Sequence, residues 1–353
     1  MVSKLLLFIG LPILLFSAWV TYLINTPNSR LNTIYNAFKT IWNVDPSEIE
    51  SYLNSYSLFH QDKVTKDTEK KIVDYYNVLN YLCSLGEVEK MYIPPVIDPS
   101  LSVFGNQLEY EKKIMKHIDA TKGKHYLHVG CGRGGIDFHI ARETGANITG
   151  INIDPKQLKE ATDRAQYHDL TKQLSYMKAS FNDPLPFPDE HFDGLYNVQA
   201  LSYTINFDDL FKEMYRVLKP GAKLSFLEWV IYDWDANNQT HVEMMTQCKE
   251  LIGAVYNPTP KEYVEGLERA GFVVTVNENA SIDGHQYTLI ESADFYFTTL
   301  KAIVKVLVKI RVFPEHFDTL LERFSLYGKS FIDGDKQNLW TSCHQFTAYK
   351  PLK

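Results

Sequence analysis

Gly130, Cys131, Gly132, Arg133, Gly134 and Gly135 follow directly on an apolar run, Tyr126-Leu127-His128-Val129, and precede a helix-spaced stretch at 136–143. A tight turn between a strand and a helix needs residues without a Cβ, because its backbone takes φ > 0 and approaches a ligand closely. The helix that opens there points free N–H groups into the turn, and the chemistry implied is nucleoside binding. By itself G-x-G-x-G is also an ordinary turn. A second strand at 147–154, one helix later, supplies the spacing of a βαβ unit and makes the pair a half-Rossmann arrangement. Ligands in such sheets lie outside the carboxyl ends of the strands. That rule adds Asn152, Asp154 and Gln157, then Ser180, Phe181 and Asn182, then Asn197, Gln199 and Tyr203, and finally Glu228 and Trp229.

The elements that must position these residues alternate strand and helix over 125–232, the pattern of a parallel sheet covered on both faces. Pro155 opens a helix at 155–168, where a missing N–H costs nothing. Strands are expected at 174–179, 192–198 and 222–230, with a helix at 208–218 stopped by Lys219-Pro220-Gly221. A helix at 260–270, a sixth strand at 272–277 and a last, antiparallel strand at 339–349 complete the core. Residues 283–338 then form an insertion above the site. Within it, residues 295–313 are strongly apolar with Lys301, Lys305 and Lys309 spaced by four. A helix there is either a buried lid with a solvated edge or a membrane-surface helix with snorkelling lysines; its Val/Ile density leaves a strand open. Residues 28–115 read as a helical cap, with Ile72, Val73, Tyr76, Leu79 and Leu82 at helical spacing over 69–85. Pro94, Pro95 and Pro99 mark an irregular loop, and a helix at 109–118 leads into the first strand.

With 45% hydrophobic residues the chain of 353 is globular, and its net charge of −7 argues against a nucleic-acid partner. Cys83, Cys131, Cys248 and Cys343 have no C-x-x-C spacing, so neither zinc nor a disulfide framework is indicated. His60, His117, His139, His168 and His241 show no triad or metal spacing, and Asp208-Asp209 reads as a helix cap; no metal is expected. Residues 5–24 carry no charge and are long enough to cross a bilayer. The absence of a small-x-small site favours an uncleaved anchor over a signal peptide, and Trp19 and Tyr22 suit an interfacial belt. The expected units are an anchor (1–27), the cap (28–115), the nucleoside-binding core (116–282), the lid insertion (283–338) and a last strand with tail (339–353).

Four stretches, YLHVGCGRGG, ITGINIDPKQ, LPFPDEHFDGLYNVQAL and YRVLKPGAKLSFLEWV, resemble in order and spacing the class I methyltransferase core of the sterol methyltransferases. Similarity is good over about residues 65–280 and looser beyond. Within the group, the anchor and the substitutions below look most like the nematode-type sterol A-ring (C-4) enzymes. The resemblance implies an α/β Rossmann-like sheet and S-adenosylmethionine as cofactor. It matches Gly130, Cys131, Gly132 and Gly134 to the loop that approaches the methionine end of the cofactor. Asn152 stands where many methyltransferases carry a ribose-binding acid, so Gln157 becomes the expected ribose contact, with Asp154 behind it. Ser180, Phe181 and Asn182 match the adenine side, and Asn197 lies on the same rim. His128 stands where the family has an acid; a neutral imidazole there either bonds the loop in the acid's place or leaves cofactor binding weaker. Gln199 and Tyr203 replace a glutamate and a histidine of the family, while Glu228-Trp229 is retained.

Methylating an alkene, as at C-24, creates a carbocation that acidic and aromatic groups must stabilise. Methylating beside a ketone needs a base and donors for an oxyanion. With two acids replaced, the expected reaction is methylation at C-4 of a 3-keto A ring, with Glu228 as base and Gln199 and Tyr203 as donors. The alternatives are C-24 methylation, methylation of another lipid (a quinone or a phospholipid-headgroup base), or a non-catalytic sterol-binding scaffold. The partners implied are a sterol and a membrane, the endoplasmic reticulum being the expected location with the catalytic part in the cytosol.

Overall fold

Strands covered on both faces bury nearly every side chain, and His125–Val129, Asn147–Asn152 and Phe192–Val198 do so along almost their whole length. The computed structural model describes residues 17, 20–26, 30–61, 63–86 and 88–352. Its seven strands are β1 (His125–Val129), β2 (Asn147–Asn152), β3 (Leu174–Lys178), β4 (Phe192–Val198), β5 (Leu218–Ile231), β6 (Val273–Asn279) and β7 (Trp340–Tyr349). They form one sheet in the order β3-β2-β1-β4-β5-β7-β6, parallel except for β7, which runs antiparallel to both neighbours. Strand order reverses between β1 and β4, the switch point at which such sheets open a crevice at their carboxyl ends.

The helices are α1 (Arg30–Trp42), α2 (Pro46–Ser55), α3 (Thr68–Leu85), α4 (Val103–His117), α5 (Gly135–Thr144), α6 (Pro155–Tyr167), α7 (Phe207–Val217), α8 (Gln239–Ile252), α9 (Pro260–Arg269), α10 (Tyr287–Lys309), α11 (His316–Phe324) and α12 (Gly328–Lys336). One face of the sheet packs on Leu210, Phe211, Met214, Tyr263 and Leu267 of α7 and α9; the other packs on Tyr110, Ile114, Ile136 and Ile140 of α4 and α5. The cap has its own core, in which Tyr52, Phe59, Ile72, Tyr75 and Leu82 meet Phe317, Leu320 and Leu321 of α11. Cap and insertion therefore touch each other across the carboxyl edge of the sheet.

Several expected boundaries move. β5 starts at Leu218 rather than 222, because Leu218 pairs with Phe192 ahead of a register shift. α4 starts at Val103 rather than 109, with the Ser102 hydroxyl accepting from the Gly105 N–H at 3.2 Å. Asp208 and Asp209 are in the first turn of α7, and the cap is Asn206, whose side chain accepts from both their N–H groups. Residues 287–309 are helix throughout, which removes the strand alternative. Most of the apolar run at 5–24 lies outside the described residues. Among the described residues no helix is long and apolar enough to cross a membrane, and no cluster suited to a metal ion occurs.

Candidate active site

Two chambers open at the carboxyl edge of the sheet. The first, with about 1010 Å³ of free space, has the glycine turn as its floor. Gly132 has φ +52° and no side-chain atom nearer than 3.9 Å to where its Cβ would be, so the turn is open on the chamber side. Gly134 has φ +68°, and a Cβ there would come within 2.5 Å of the Tyr176 hydroxyl and 2.9 Å of Ala161. Gly132 therefore leaves room for a ligand, whereas Gly134 makes room for the packing of α5 on its neighbours.

The structure brings Gly130, Cys131, Gly132, Asn152, Asp154, Gln157, Ser180, Phe181, Asn182, Gln199 and Tyr203 to the walls of this chamber. Gly134 and Asn197 are not on its walls. Asn197 is fully buried and donates to the Val129 carbonyl at 2.7 Å, tying the ends of β1 and β4 together. The Gln157 amide is engaged at both atoms, its oxygen accepting from Asn152 at 2.6 Å and its nitrogen donating to Asn80 at 3.0 Å. Asp154 caps α6 through one oxygen, accepting from Lys156 N–H at 2.8 Å, while its other oxygen has no partner. That second oxygen is buried, and burial raises the carboxyl's pKa. Asn182 donates to the Tyr203 carbonyl and accepts from the Ile205 N–H, so it shapes the rim. Burial pushes the Cys131 thiol up, leaving it protonated.

The expected catalytic trio is placed differently from its sequence reading. Glu228 is 0% exposed and lines neither chamber. One of its oxygens accepts from the Ala200 and Leu201 N–H groups, both at 3.1 Å, the other has no partner, and burial lifts its pKa to about 8. It holds the short helical turn Leu201–Tyr203 from behind. The Gln199 amide is also spent, accepting from Ile93 N–H at 3.0 Å and donating to the Ile93 and Ser342 carbonyls at 2.7 Å. The Tyr203 hydroxyl donates to the Gly253 carbonyl and lies 3.1 Å from the Tyr76 hydroxyl. Burial keeps both phenols neutral, with Tyr76 pushed up to about 12.

The second chamber, about 1080 Å³, is mostly apolar: Tyr75, Leu79, Val88, Ile93, Trp229, Leu251, Leu289, Phe297 and Phe324 are among its walls. It shares Tyr76, Met91, Tyr92 and Gln199 with the first. On its lid side stands Asp294, the only carboxylate on its walls among the described residues, with its pKa raised by burial. Glu69, Tyr76, Met91 and Tyr92, all cap residues, were not in the sequence-derived site. Tyr76 was visible only as one apolar position of a helix, a signal that marks a buried face without saying what it faces.

Residues 127–226 match the model of the methyltransferase domain family. The chain is 31% identical over 179 residues to methyltransferase phqN of Penicillium fellutanum, a match covering 50% of this chain and 55% of that protein. It is 24% identical over 335 residues to cycloartenol-C-24-methyltransferase of Arabidopsis thaliana, covering 87% of this chain and 97% of that one. Among solved structures, the [4+2]-cyclase SpnF shares the fold with a TM-score of 0.65 at 20% identity, over 83% of this chain and 99% of the cyclase. The open glycine floor and the unpartnered acceptor of Asp154 suit a nucleoside with a charged tail. The cofactor is S-adenosylmethionine, and the chain is a methyltransferase dependent on it.

Proposed function

We propose that this methyltransferase transfers the methyl group to a carbon of a sterol held in the apolar chamber. The observation that carries the reading is the shared wall: a largely apolar space adjoins the cofactor chamber through Tyr76, Met91, Tyr92 and Gln199. The Arabidopsis relative, a cycloartenol-C-24-methyltransferase whose length is nearly all matched, supports the substrate class. The cofactor supplies an electrophilic methyl on a sulfonium. The chain's task is then alignment, which can lower a barrier by about 7–11 kcal/mol, and exclusion of water.

Two orientations of a sterol differ in what meets the junction. With the side chain innermost, an alkene faces the rings of Tyr75, Tyr76, Tyr92 and Trp229. Methyl transfer to one alkene carbon would leave a cation on its neighbour, the carbon these rings face. Desolvated aromatic faces stabilise the intervening cation by about 2 kcal/mol each. A 3-hydroxyl on the outer end then meets Asp294. This side-chain reading is the better supported. The A-ring reading (C-4 beside a 3-ketone) keeps the Tyr76–Tyr203 hydroxyl pair for the oxygen, but Gln199 and Glu228 act in it only by positioning the turn. Membrane association belongs to the same proposal. Lys305 and Lys309 flank an exposed apolar stripe on α10, and α1 packs against the segment after it through Phe38 and Trp42 on Phe313. The apolar run 5–24 precedes α1 in the sequence, and the membrane of this proposal is the endoplasmic reticulum, with the domain in the cytosol.

The test offers the full chain in lipid micelles methyl-labelled cofactor and two sterols, one 3β-hydroxylated with a C-24 alkene, the other a 3-ketone with a saturated side chain. Label on the side chain is the expected result. Label at C-4 of the ketone establishes the second orientation. Transfer to a quinone or an amine headgroup, with neither sterol labelled, overturns the sterol reading.

A further inference from the structure

Sequence leaves two outcomes for the imidazole at position 128, a bond to the loop or weaker cofactor binding, and the fold gives it a different setting. His128 is 1% exposed, lines the cofactor chamber, and its Nε2 has no hydrogen-bond partner. Its Nδ1 is bonded to one carboxyl oxygen of Asp137, in the first turn of α5, and that oxygen also accepts from the Tyr196 hydroxyl at 2.6 Å. The imidazole stacks on the Tyr196 ring, with centroids 4.3 Å apart, so packing fixes its plane. A carboxylate accepting at Nδ1 places the ring hydrogen there and leaves Nε2 as a lone pair. An acceptor buried without a donor is destabilising, and a ligand that supplies the donor removes the penalty. The two basic side chains on the same walls are already engaged, Lys90 with Glu111 and Arg133 with Glu160.

We infer that His128, oriented and made electron-rich by Asp137, is the acceptor for the ammonium group at the methionine end of the cofactor. The Asp137 carboxyl group stands behind the imidazole, one residue removed from the ligand, and is complementary to that cationic end. A charge-assisted bond of this kind is stronger than a neutral one. Tyr196 and Asp137 are then positioning residues, and His128 is the ligand contact. The inference rests on S-adenosylmethionine occupying the chamber.

The experiment measures calorimetric binding of S-adenosylhomocysteine, of its analogue lacking the amine, and of its analogue lacking the carboxylate, to the full chain and to His128→Ala, His128→Asp and Asp137→Asn. The wild-type chain should prefer the parent over the amine-free analogue by about tenfold or more. His128→Ala should abolish that preference, Asp137→Asn reduce it and His128→Asp retain it. An unchanged amine preference in His128→Ala overturns the inference, as does a preference lost only toward the carboxylate-free analogue, which would make Nε2 a donor. Should a variant fail to fold, ¹⁵N-histidine spectra of the wild-type chain decide. The Nε2 resonance should move on adding the parent and stay in place with the amine-free analogue; equal movement with both overturns it. A wild-type chain that binds none of the three overturns the cofactor reading, a result distinct from any of these.

Discussion

Gly132 and Gly134 have the same sign of φ and different neighbours, and substitution separates what each does. Gly134→Ala brings a methyl within 2.5 Å of the Tyr176 hydroxyl in a strained backbone, and a loss of about 2–4 kcal/mol in urea unfolding is expected. Gly132→Ala meets no such neighbour and should cost only about 1 kcal/mol of backbone strain. Its methyl would occupy cofactor space, so S-adenosylhomocysteine affinity should drop at least about tenfold; equal affinity to wild type would mean the cofactor does not approach this floor. Glu228 allows a pH test. In the unfolded chain it releases its proton near 4.5, whereas in the fold burial retains the proton to about 8. Folding thus binds a proton across that window, and this group's contribution to stability falls as pH rises through it. Glu228→Gln has no such proton. Wild-type stability minus that of the variant should decline by on the order of 3–4 kcal/mol between about pH 5 and pH 8. A flat difference would show that the carboxylate is already ionised in the fold.

At the scale of elements, α10 has two unlike faces. Leu289, Phe297 and Val304 are buried, and Phe297 packs on Phe324 of α11 with ring centroids 4.7 Å apart. Phe295 at 75%, Ile303 at 54%, Val306 at 58% and Ile310 at 60% exposure form an outward apolar stripe, flanked by Lys305 and Lys309. A water-exposed stripe of that kind is costly unless covered, and basic flanks fit anionic headgroups. Replacing Phe295, Ile303 and Val306 by serine should lower the affinity for vesicles containing anionic lipid about tenfold or more, and leave the unfolding transition nearly unchanged. Unaltered vesicle binding would assign the stripe no role at a membrane. The cap helix α3 has the complementary part: Ile72, Val73 and Tyr76 face the cofactor chamber, while Tyr75, Tyr76 and Leu79 face the apolar one. One helix therefore forms wall for both reactants, and its displacement would expose both to water.

For the whole molecule, cap and insertion close over a sheet whose seven strands are already paired in one ladder. A sterol should thus protect the cover and leave the scaffold alone. Hydrogen exchange should slow in α3 and α10 on adding sterol and S-adenosylhomocysteine together, with β4, β5 and β7 unchanged; protection confined to the sheet would place the sterol elsewhere. Sequence alone determined the strand-and-helix alternation, the glycine turn, Pro155 at the start of α6 and the antiparallel last strand, because these follow from local spacing and backbone sterics. It also brought nine of the eleven expected cofactor positions, with Gln199 and Tyr203, to the chamber walls, because strand carboxyl ends converge by rule; Gly134 and Asn197 stand behind those walls. Tertiary structure alone decided which polar groups are free to act. Gln157 and Gln199 spend their amides on Asn80, Ile93 and Ser342, partners at separations from 77 to 143 residues in the chain, and no local pattern reveals such a pairing. The same holds for Glu228, turned inward to carry a backbone turn, and for His128, whose meaning depends on a carboxylate one helix away. Spacing places a residue near a site; only the full set of its hydrogen bonds tells whether anything is left for a ligand.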